Sequence, residues 1–395
     1  MNKEQALLNP LTSFVKKKFG DSAYSHDEME SYLGSLIDPT KEIPLAQCEG
    51  LQIPWVHQRK MLGILFQHYI EEPPQSKEEM FSFATRADGT TQNHFSDRWV
   101  NQLVQNAKEF NITECNAYEE AGKQAYKPVI IAGSGPSLSK NLQILKDMRK
   151  DICLVSCLQN FKYFEDNGIQ ADYYVNLDAG DITLNQLFDD KKSKDHYLNI
   201  SKNRTLISVV CALPELIRSW KGKVKWYNMP TSYDPYLELS KKTFKKDFYF
   251  NIGGNVLGSC LYFAQAVLGA GSVIFVGADF SYSYSNNFYA SSHVSDSRVF
   301  DVGNMMRVPD VFGVPVWTTP GYFGFKQWFD FMSMKGKSGV KCRYINCTEG
   351  GILGSYKEGN IRAIEQSDLE TILRDLNHHK CLKDKINNYD TALVI

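Results

Sequence analysis

Residues 127–138 read KPVIIAGSGPSL, and they decide the fold of the chain. The apolar run Val129–Ala132 predicts a buried strand that leads directly into the turn Gly133-Ser134-Gly135. Pro136 suits the first position of a helix because proline has no N–H to leave unpaired, and Ser137 follows in the first turn. Amide groups and the helix dipole favour an anion at such a turn, and glycine lets a phosphate approach. The stretch therefore predicts a phosphate-binding turn, with an ordinary strand–turn–helix connection as the alternative.

From Tyr126 onward, short apolar runs alternate with helical segments. The predicted strands are Val129–Ala132, Ile152–Cys157, Tyr173–Leu177, Thr205–Cys211, Val224–Tyr227, Val273–Val276 and Tyr344–Asn346. This βαβ rhythm predicts an α/β protein with a Rossmann-like, mostly parallel sheet and helices on both faces. Ligands of such sheets bind at the carboxyl ends of the strands.

The chain divides into three predicted parts. Residues 1–125 lack long β runs and predict a helical N-terminal domain, residues 126–360 the Rossmann-like domain, and residues 361–395 a C-terminal helical tail. The irregular stretch Ser281–Phe325 is long enough to predict a lid or binding loop. The N-terminal helices are predicted at Pro10–Phe19, His26–Leu36, Trp55–Ile70 and Asp97–Glu109, and two later helices at Gly324–Met334 and Ser367–Ile386.

The bulk composition limits the class of protein. The formal net charge is −1 over 395 residues, which argues against a dedicated nucleic-acid binder. The nine cysteines are scattered without a CxxC pair, which favours a reducing compartment. Because Met1–Leu11 lacks an apolar core and no apolar run is long enough to cross a bilayer, we expect a cytoplasmic protein without a membrane span.

Polar side chains follow several predicted strands at the point where each strand ends. They are Ser134, Gln159 and Asn160, Asp178 and Asp181, Asp279, and Thr348 and Glu349. The turn lacks the third glycine of a dinucleotide site, strand two does not end in an acid, and no Gly-Lys-Ser/Thr follows, so the dinucleotide and P-loop motifs are both excluded. Neutral Gln159 and Asn160 suit a base edge or sugar hydroxyls. The pattern predicts a nucleotide held by backbone amides and neutral side chains.

Three carboxylates are candidates for chemistry at this edge. Asp178 and Asp181 lie three residues apart after a strand and could hold Mg²⁺ through a diphosphate, or Asp181 could cap the next helix. Asp279 in VGADF could position an acceptor, share the metal or cap a turn.

The long loop supplies further candidates. His293 is its only histidine and could act as a general base at neutral pH, or it could be a solvated loop residue. Tyr282, Tyr284 and Tyr289 could donate hydrogen bonds to a leaving phosphate, or they could simply pack.

Six motifs carry a family resemblance. In chain order they are KPVIIAGSGPSL, VSCLQN, ADYYVNLD, NIGGNV, IFVGADFSY and INCTEGG. Over Lys127–Gly354 the chain resembles the 6-hydroxymethylpterin diphosphokinase MptE-like family, which includes the flagellin motility accessory factors. These resemble glycosyltransferases that use CMP-activated nonulosonic acids, and the same stretches are similar to the bacterial CMP-sialic acid transferases.

The resemblance implies roles by position. Gly133, Ser134 and Gly135 would cradle phosphate, Gln159 and Asn160 would contact the nucleotide, and Asp178 would lie near phosphate or metal. His293 lies in the region of the sialyltransferase base. Ser134 departs from the sialyltransferases, which have Asn between the glycines.

Three functions follow as hypotheses. The first is a glycosyltransferase that moves a sugar from a CMP-type donor to a hydroxyl of a glycan, a protein or a small molecule. The second is a Mg²⁺-dependent diphosphokinase in which ATP is the donor and a pterin-like alcohol the acceptor. The third is a nucleotide-binding accessory protein without catalysis. In each case the nucleotide is a substrate or ligand rather than a tightly bound cofactor, and the chain is compatible with an oligomer.

Overall fold

The structure is a computed structural model. It describes residues 95–181, 184, 191–244, 248–282, 290, 306–313, 315–335, 342–355, 357–358, 361–362 and 364–376. The helices predicted at Pro10–Phe19, His26–Leu36 and Trp55–Ile70 lie outside these residues.

A large parallel sheet forms the centre of the protein. The strands are β1 Pro128–Ala132, β2 Cys153–Cys157, β3 Tyr173–Asn176, β4 Thr205–Val209, β5 Lys223–Tyr227, β6 Ser272–Val276, β7 Met306–Pro309, β8 Pro315–Thr318, β9 Arg343–Asn346, β10 Lys357–Glu358, β11 Ile361–Arg362 and β12 Glu365–Gln366. In the part of the chain that the structure describes, eight of them form one sheet in the order β12-β9-β6-β1-β2-β3-β4-β5. Every pairing within it is parallel.

The strand order places a topological switch point beside β1. From β1 the chain builds β2 to β5 outward on one side, and it then returns to add β6 on the other side. Connections therefore leave β1 and β6 in opposite directions, which opens a crevice outside their carboxyl ends. We expect the ligand site of this fold at the ends of β1 and β6.

Helices flank the sheet. They are α1 over 95–109, α2 Leu138–Asp147, α3 Phe161–Asp166, α4 Lys191–Ile200, α5 Pro214–Ser219, α6 Asp234–Thr243, α7 Val256–Tyr262, α8 Pro320–Lys335 and α9 over 369–376. The central strands are mostly apolar because both faces are covered, and the side chains of β2 and β3 are buried throughout. A one-turn π-helix, Phe263–Val267, continues α7.

The predicted α/β fold class is confirmed, and each predicted strand is found within two residues of its expected ends. Several elements were not predicted: the hairpin of β7 and β8, the short strands β10, β11 and β12, and the helices α4, α5 and α6. The hairpin of β7 and β8 lies inside the stretch Ser281–Phe325, where a proline in each short strand hides the β pattern. Helix α4 was not predicted because its sequence, KKSKDHYLNI, carries few apolar residues.

Residues 95–125 lie against the sheet. Trp99 and Leu103 of α1 are buried in the main core. The Asn106 amide donates to the carbonyl oxygens of Val210 and Ala212, at 2.9 and 2.8 Å. The predicted domain boundaries after residues 125 and 360 stay predictions, although α1 and β12 both join the central unit.

Among the described residues, no helix combines the length and the apolar character needed to cross a membrane.

Candidate functional site

Two adjoining cavities lie at the carboxyl edge of the sheet. The large lobe, about 270 Å³, lies beyond the ends of β2 and β3, and its walls include Phe95, Trp99, Gln159, Asn176, Asp178 and Asn251. The small lobe, about 240 Å³, lies at the switch point between β1 and β6, and its walls include Ser134, Asp279, Tyr282, Tyr322 and Phe325. Both lobes share Cys157, Gln159, Asn255 and Val256, so together they form one cleft.

The large lobe combines flat apolar surface with neutral polar groups. Phe95 and Trp99 of α1 lie nearly parallel, with ring centroids 6.4 Å apart. Asn176 at the end of β3 donates a hydrogen bond of 3.1 Å to the Asp178 carbonyl. A few amides beside aromatic rings suit a ligand with a planar ring and polar edges. Sequence reasoning missed Phe95 and Trp99, since they come from a helix assigned to another domain.

A glycine turn lines the large lobe, directly before the two residues, Asn255 and Val256, that line both lobes. Gly253 and Gly254 have positive φ angles, +55° and +74°. A Cβ on Gly253 would lie 2.1 Å from the Trp328 ring, so only glycine fits. Asn255 then caps α7, with its side-chain oxygen accepting from the Gly258 N–H at 3.0 Å. The NIGGNV motif thus lines the cleft, a role that the sequence did not predict.

The glycines of the turn after β1, Gly133 and Gly135, allow the ends of β1 and β6 to pack closely. The Gly133 and Gly135 amides donate to the carbonyls of Val276 and Gly277, each at 2.9 Å. A Cβ on Gly133 would lie 2.4 Å from the Gly277 oxygen. These two amides are therefore already paired. The Ser134 hydroxyl is buried without a hydrogen-bond partner among the described residues, so the phosphate contact predicted for this turn depends on Ser134.

The carboxylate of Asp279 occupies the N-terminus of α2. It crosses from the end of β6, and its Oδ2 accepts from the Ser137 hydroxyl at 2.7 Å and from the Ser137 amide at 3.4 Å. Only 3% of Asp279 is exposed. Burial raises the pKa of this carboxyl to about 6, although the Ser137 hydrogen bonds and the nearby Lys140 oppose the rise. The anion at this helix end is thus the protein's own carboxylate.

The raised pKa of Asp279 makes the folding stability depend on pH. In the unfolded chain the carboxyl would ionise near its usual value of 3.8, and in the folded protein near 6. Between these values the folded state holds the extra proton, so stability is greatest below about pH 4 and falls as pH rises through 6. Two pKa units correspond to about 3 kcal/mol. We expect the free energy of unfolding of Asp279→Asn, measured with urea, to rise relative to that of wild type by up to this amount between pH 4 and 7. If the free energies of unfolding of the two proteins changed in parallel with pH, the result would contradict this expectation.

Gln159 and Asn160 have different roles. Asn160 is buried, and its amide donates to the carbonyls of Ala132 and Gly133 and to the Ser156 hydroxyl, at 3.0–3.2 Å. It therefore braces the end of β1. Gln159 lies in the walls of both lobes. The nucleotide contact predicted for the pair is thus available to Gln159 alone in this geometry.

The two predicted metal ligands, Asp178 and Asp181, differ in their exposure to solvent. Asp178 lines the large lobe, and its Oδ1 accepts from the Gly180 N–H at 2.7 Å. Asp181 is exposed to solvent. Among the described residues, no group of three or more His, Cys, Asp or Glu side chains could hold a metal ion. The described carboxylates thus do not form a metal centre by themselves, and a Mg²⁺ shared between Asp178 and a diphosphate stays a prediction.

The remaining candidates fall in three places. Tyr282 is buried in the wall of the small lobe, and its ring stacks on Tyr322 with centroids 6.2 Å apart. Thr348 is buried, and its hydroxyl accepts from the Ala278 amide at 3.1 Å, which fixes the end of β6. His293 lies outside the described residues, as do Tyr284 and Tyr289.

The family resemblance is confirmed over the middle of the chain. Residues 101–285 match the model of the family described as 6-hydroxymethylpterin diphosphokinase MptE-like. This stretch contains β1 to β6, both lobes' strand ends and all the quoted motifs except INCTEGG.

One similar solved structure is the MAf glycosyltransferase from Magnetospirillum magneticum AMB-1. The two chains share 20% identity with a TM-score of 0.47, over 64% of this chain and 37% of the other. The chain therefore matches little more than a third of that protein's length. No curated protein matches the chain.

Proposed function

We propose that the chain is a nucleotide-dependent transferase that moves a sugar from a nucleotide-activated donor to a hydroxyl acceptor. The observation that carries the proposal is the two-lobed cleft at the switch point of the sheet. Its large lobe suits the nucleotide, and its small lobe suits the reacting groups.

In this proposal, the large lobe holds the nucleoside. The Phe95 and Trp99 rings provide apolar contact, and Gln159 and Asn251 offer amide groups to the base edge or the ribose. Neutral amides can both donate and accept, so they can satisfy such a ligand without a charged partner.

The small lobe then holds the donor phosphate and the sugar. The unpaired Ser134 hydroxyl can donate to a phosphate oxygen, and Tyr322 and Phe325 offer ring surface to the sugar. In the transfer, the acceptor oxygen bonds to the sugar carbon. The bond from that carbon to the phosphate oxygen breaks, and its electron pair leaves with the nucleotide phosphate. The Ser134 hydroxyl would stabilise the departing charge by donating to that phosphate.

A diphosphokinase is the second candidate, and the description of the matched family favours it. Here the acceptor oxygen would bond to the β-phosphorus of ATP, and AMP would leave. Catalysis would then depend mainly on positioning and on neutralising charge.

A thermal-shift screen separates the candidates. CMP, UMP, GDP, ATP and the corresponding nucleotide sugars would be tested with and without Mg²⁺. A ligand at a concentration of 100 Kd stabilises the folded state by about 2.7 kcal/mol. We expect one nucleotide sugar to stabilise the chain and to be turned over. Strictly Mg²⁺-dependent AMP release from ATP would favour the diphosphokinase. Binding without turnover would favour an accessory protein, and an absence of any binding would contradict all three.

Gln159→Leu should weaken nucleotide binding. The side chain lies where the lobes meet, and each hydrogen bond lost costs about 1 kcal/mol, roughly a fivefold loss of affinity. Calorimetric titration with the best nucleotide of the screen measures the change. Gln143→Leu is the matched control, because Gln143 is an exposed residue of α2 that bonds to Asp147 outside the cleft. Equal affinities for the two variants would contradict the placement of the nucleotide.

A further inference from the structure

Two buried oxygens, on residues that line the small lobe, lack partners in the part of the chain that the structure describes. They are Ser134 Oγ, which can donate a hydrogen bond, and Asp279 Oδ1. When the carboxyl of Asp279 is ionised, Oδ1 is an acceptor and cannot donate. Buried polar atoms are nearly always paired in native proteins, so an unpaired one calls for an explanation. One unpaired donor and one unpaired acceptor together match a ligand that brings both an anionic oxygen and a hydroxyl.

The orientation of the Asp279 carboxylate is fixed. Ser137 donates to Oδ2 through both its hydroxyl and its amide. Residue 135 must be glycine, since a Cβ there would lie 2.1 Å from Oδ2. With Oδ2 engaged by α2, Oδ1 is the oxygen left for a ligand.

We propose that Asp279 is the catalytic base, and that its Oδ1 takes the proton of the acceptor hydroxyl in the small lobe. This inference rests on the proposed transferase function and deepens it. Asp279 would touch the acceptor directly, and Ser137 would be a positioning residue that acts through Asp279.

The step balances. As the acceptor oxygen bonds to the transferred group, its O–H bond breaks and the proton passes to Oδ1. The electron pair of the broken donor bond leaves on the nucleotide phosphate, where the Ser134 hydroxyl can donate. Asp279 then returns the proton to solvent. The same assignment serves the diphosphokinase, because its acceptor is also a hydroxyl.

The environment suits a base that works near neutral pH. Burial raises the pKa of Asp279 to about 6, so the carboxyl is mostly ionised at pH 7 yet holds a proton more readily than an exposed aspartate. Lys140 on α2 is the charged group that favours ionisation of Asp279, and it also faces Glu349 in the loop after β9.

The test compares three variants of the full chain. Asp279→Asn removes the base and keeps the size of the side chain. Asp310→Asn is the matched control, because Asp310 is equally buried but bonds to the Phe312 amide outside both lobes. Ser137→Ala keeps the carboxylate and removes the hydroxyl bond that lowers its pKa. Nucleotide affinity is measured by calorimetry, and turnover of the best donor of the screen is measured from pH 5 to 9.

We expect Asp279→Asn to bind nucleotide within twofold of wild type and to lose 10²- to 10⁴-fold in turnover. Asp310→Asn should keep wild-type turnover. Wild-type turnover should fall below about pH 6, and Ser137→Ala should move that fall to higher pH. Asp279→Asn turnover within threefold of wild type, or an unshifted profile in Ser137→Ala, would overturn the inference. Nucleotide binding without turnover by wild type would overturn it too, whereas no nucleotide binding at all would overturn the transferase proposal itself.

Discussion

Gly135→Ala should both destabilise the protein and remove the proposed transferase activity. A Cβ at residue 135 would lie 2.1 Å from Asp279 Oδ2 and 2.8 Å from the Gly277 oxygen, so both the carboxylate and the end of β6 must shift. Overpacking of this kind costs about 1–3 kcal/mol and occasionally more. The same shift moves Asp279. The turnover of the variant should therefore fall by more than the decrease in its folded fraction explains.

Urea unfolding and donor turnover, measured on the same preparation, test this expectation. The control is Gly321→Ala in the first turn of α8. A Cβ there would meet only the Thr319 hydroxyl, at 3.9 Å, and alanine favours a helix more than glycine does. Gly321→Ala should be as stable as wild type or more so. If Gly135→Ala behaved like this control, the account of the first turn would be wrong.

Lys326→Met is expected to cost about 3–5 kcal/mol of folding free energy. Lys326 and Asp330 form an ion pair of 3.0 Å on α8, with both side chains at most 3% exposed. Asp330 Oδ1 also accepts from the Gly354 amide at 3.0 Å, which ties α8 to the loop after β9. Removing the lysine leaves the buried carboxylate of Asp330 without its cation. An unpaired buried charge of this kind strongly destabilises the folded state.

The double variant Lys326→Met/Asp330→Asn identifies the cause of the loss. It removes the charge but keeps an oxygen for the Gly354 amide, so it should recover most of the stability that the single variant loses. Arg374→Met is the control for an exposed pair, because Arg374 and its partner Glu370 on α9 are largely solvent-accessible. In chemical unfolding, Lys326→Met should have a much lower free energy of unfolding than either the double variant or Arg374→Met. A single variant as stable as the double one would show that charge burial does not matter at this position.

The sequence predicted the sheet well because parallel strands buried on both faces are continuous apolar runs. VIIA and VIFV are such runs, and each is followed by glycine, so both strands flanking the switch point could be located. The location of the cleft then followed from a general rule of parallel sheets. Gln159 was also predicted for the right region, since it comes directly after β2.

The division of roles within the cleft could not be predicted, because it depends on contacts between distant residues. Gln159 and Asn160 are neighbours, yet only the fold decides that Asn160 turns toward Gly133 and braces it. Asp279 meets Ser137 across 142 residues of sequence, so neither position alone indicated that the helix end already holds a carboxylate. Trp99 joins the large lobe only because α1 packs on the sheet.

The central claim is that one nucleotide spans both lobes of the cleft. A crystal structure of the chain with the tightest nucleotide sugar of the screen tests it most directly. The account predicts the base against Trp99 and Gln159, the phosphate at Ser134, and the transferred group in the small lobe beside Asp279. A nucleotide bound elsewhere, or with its phosphate away from the turn after β1, would contradict the account.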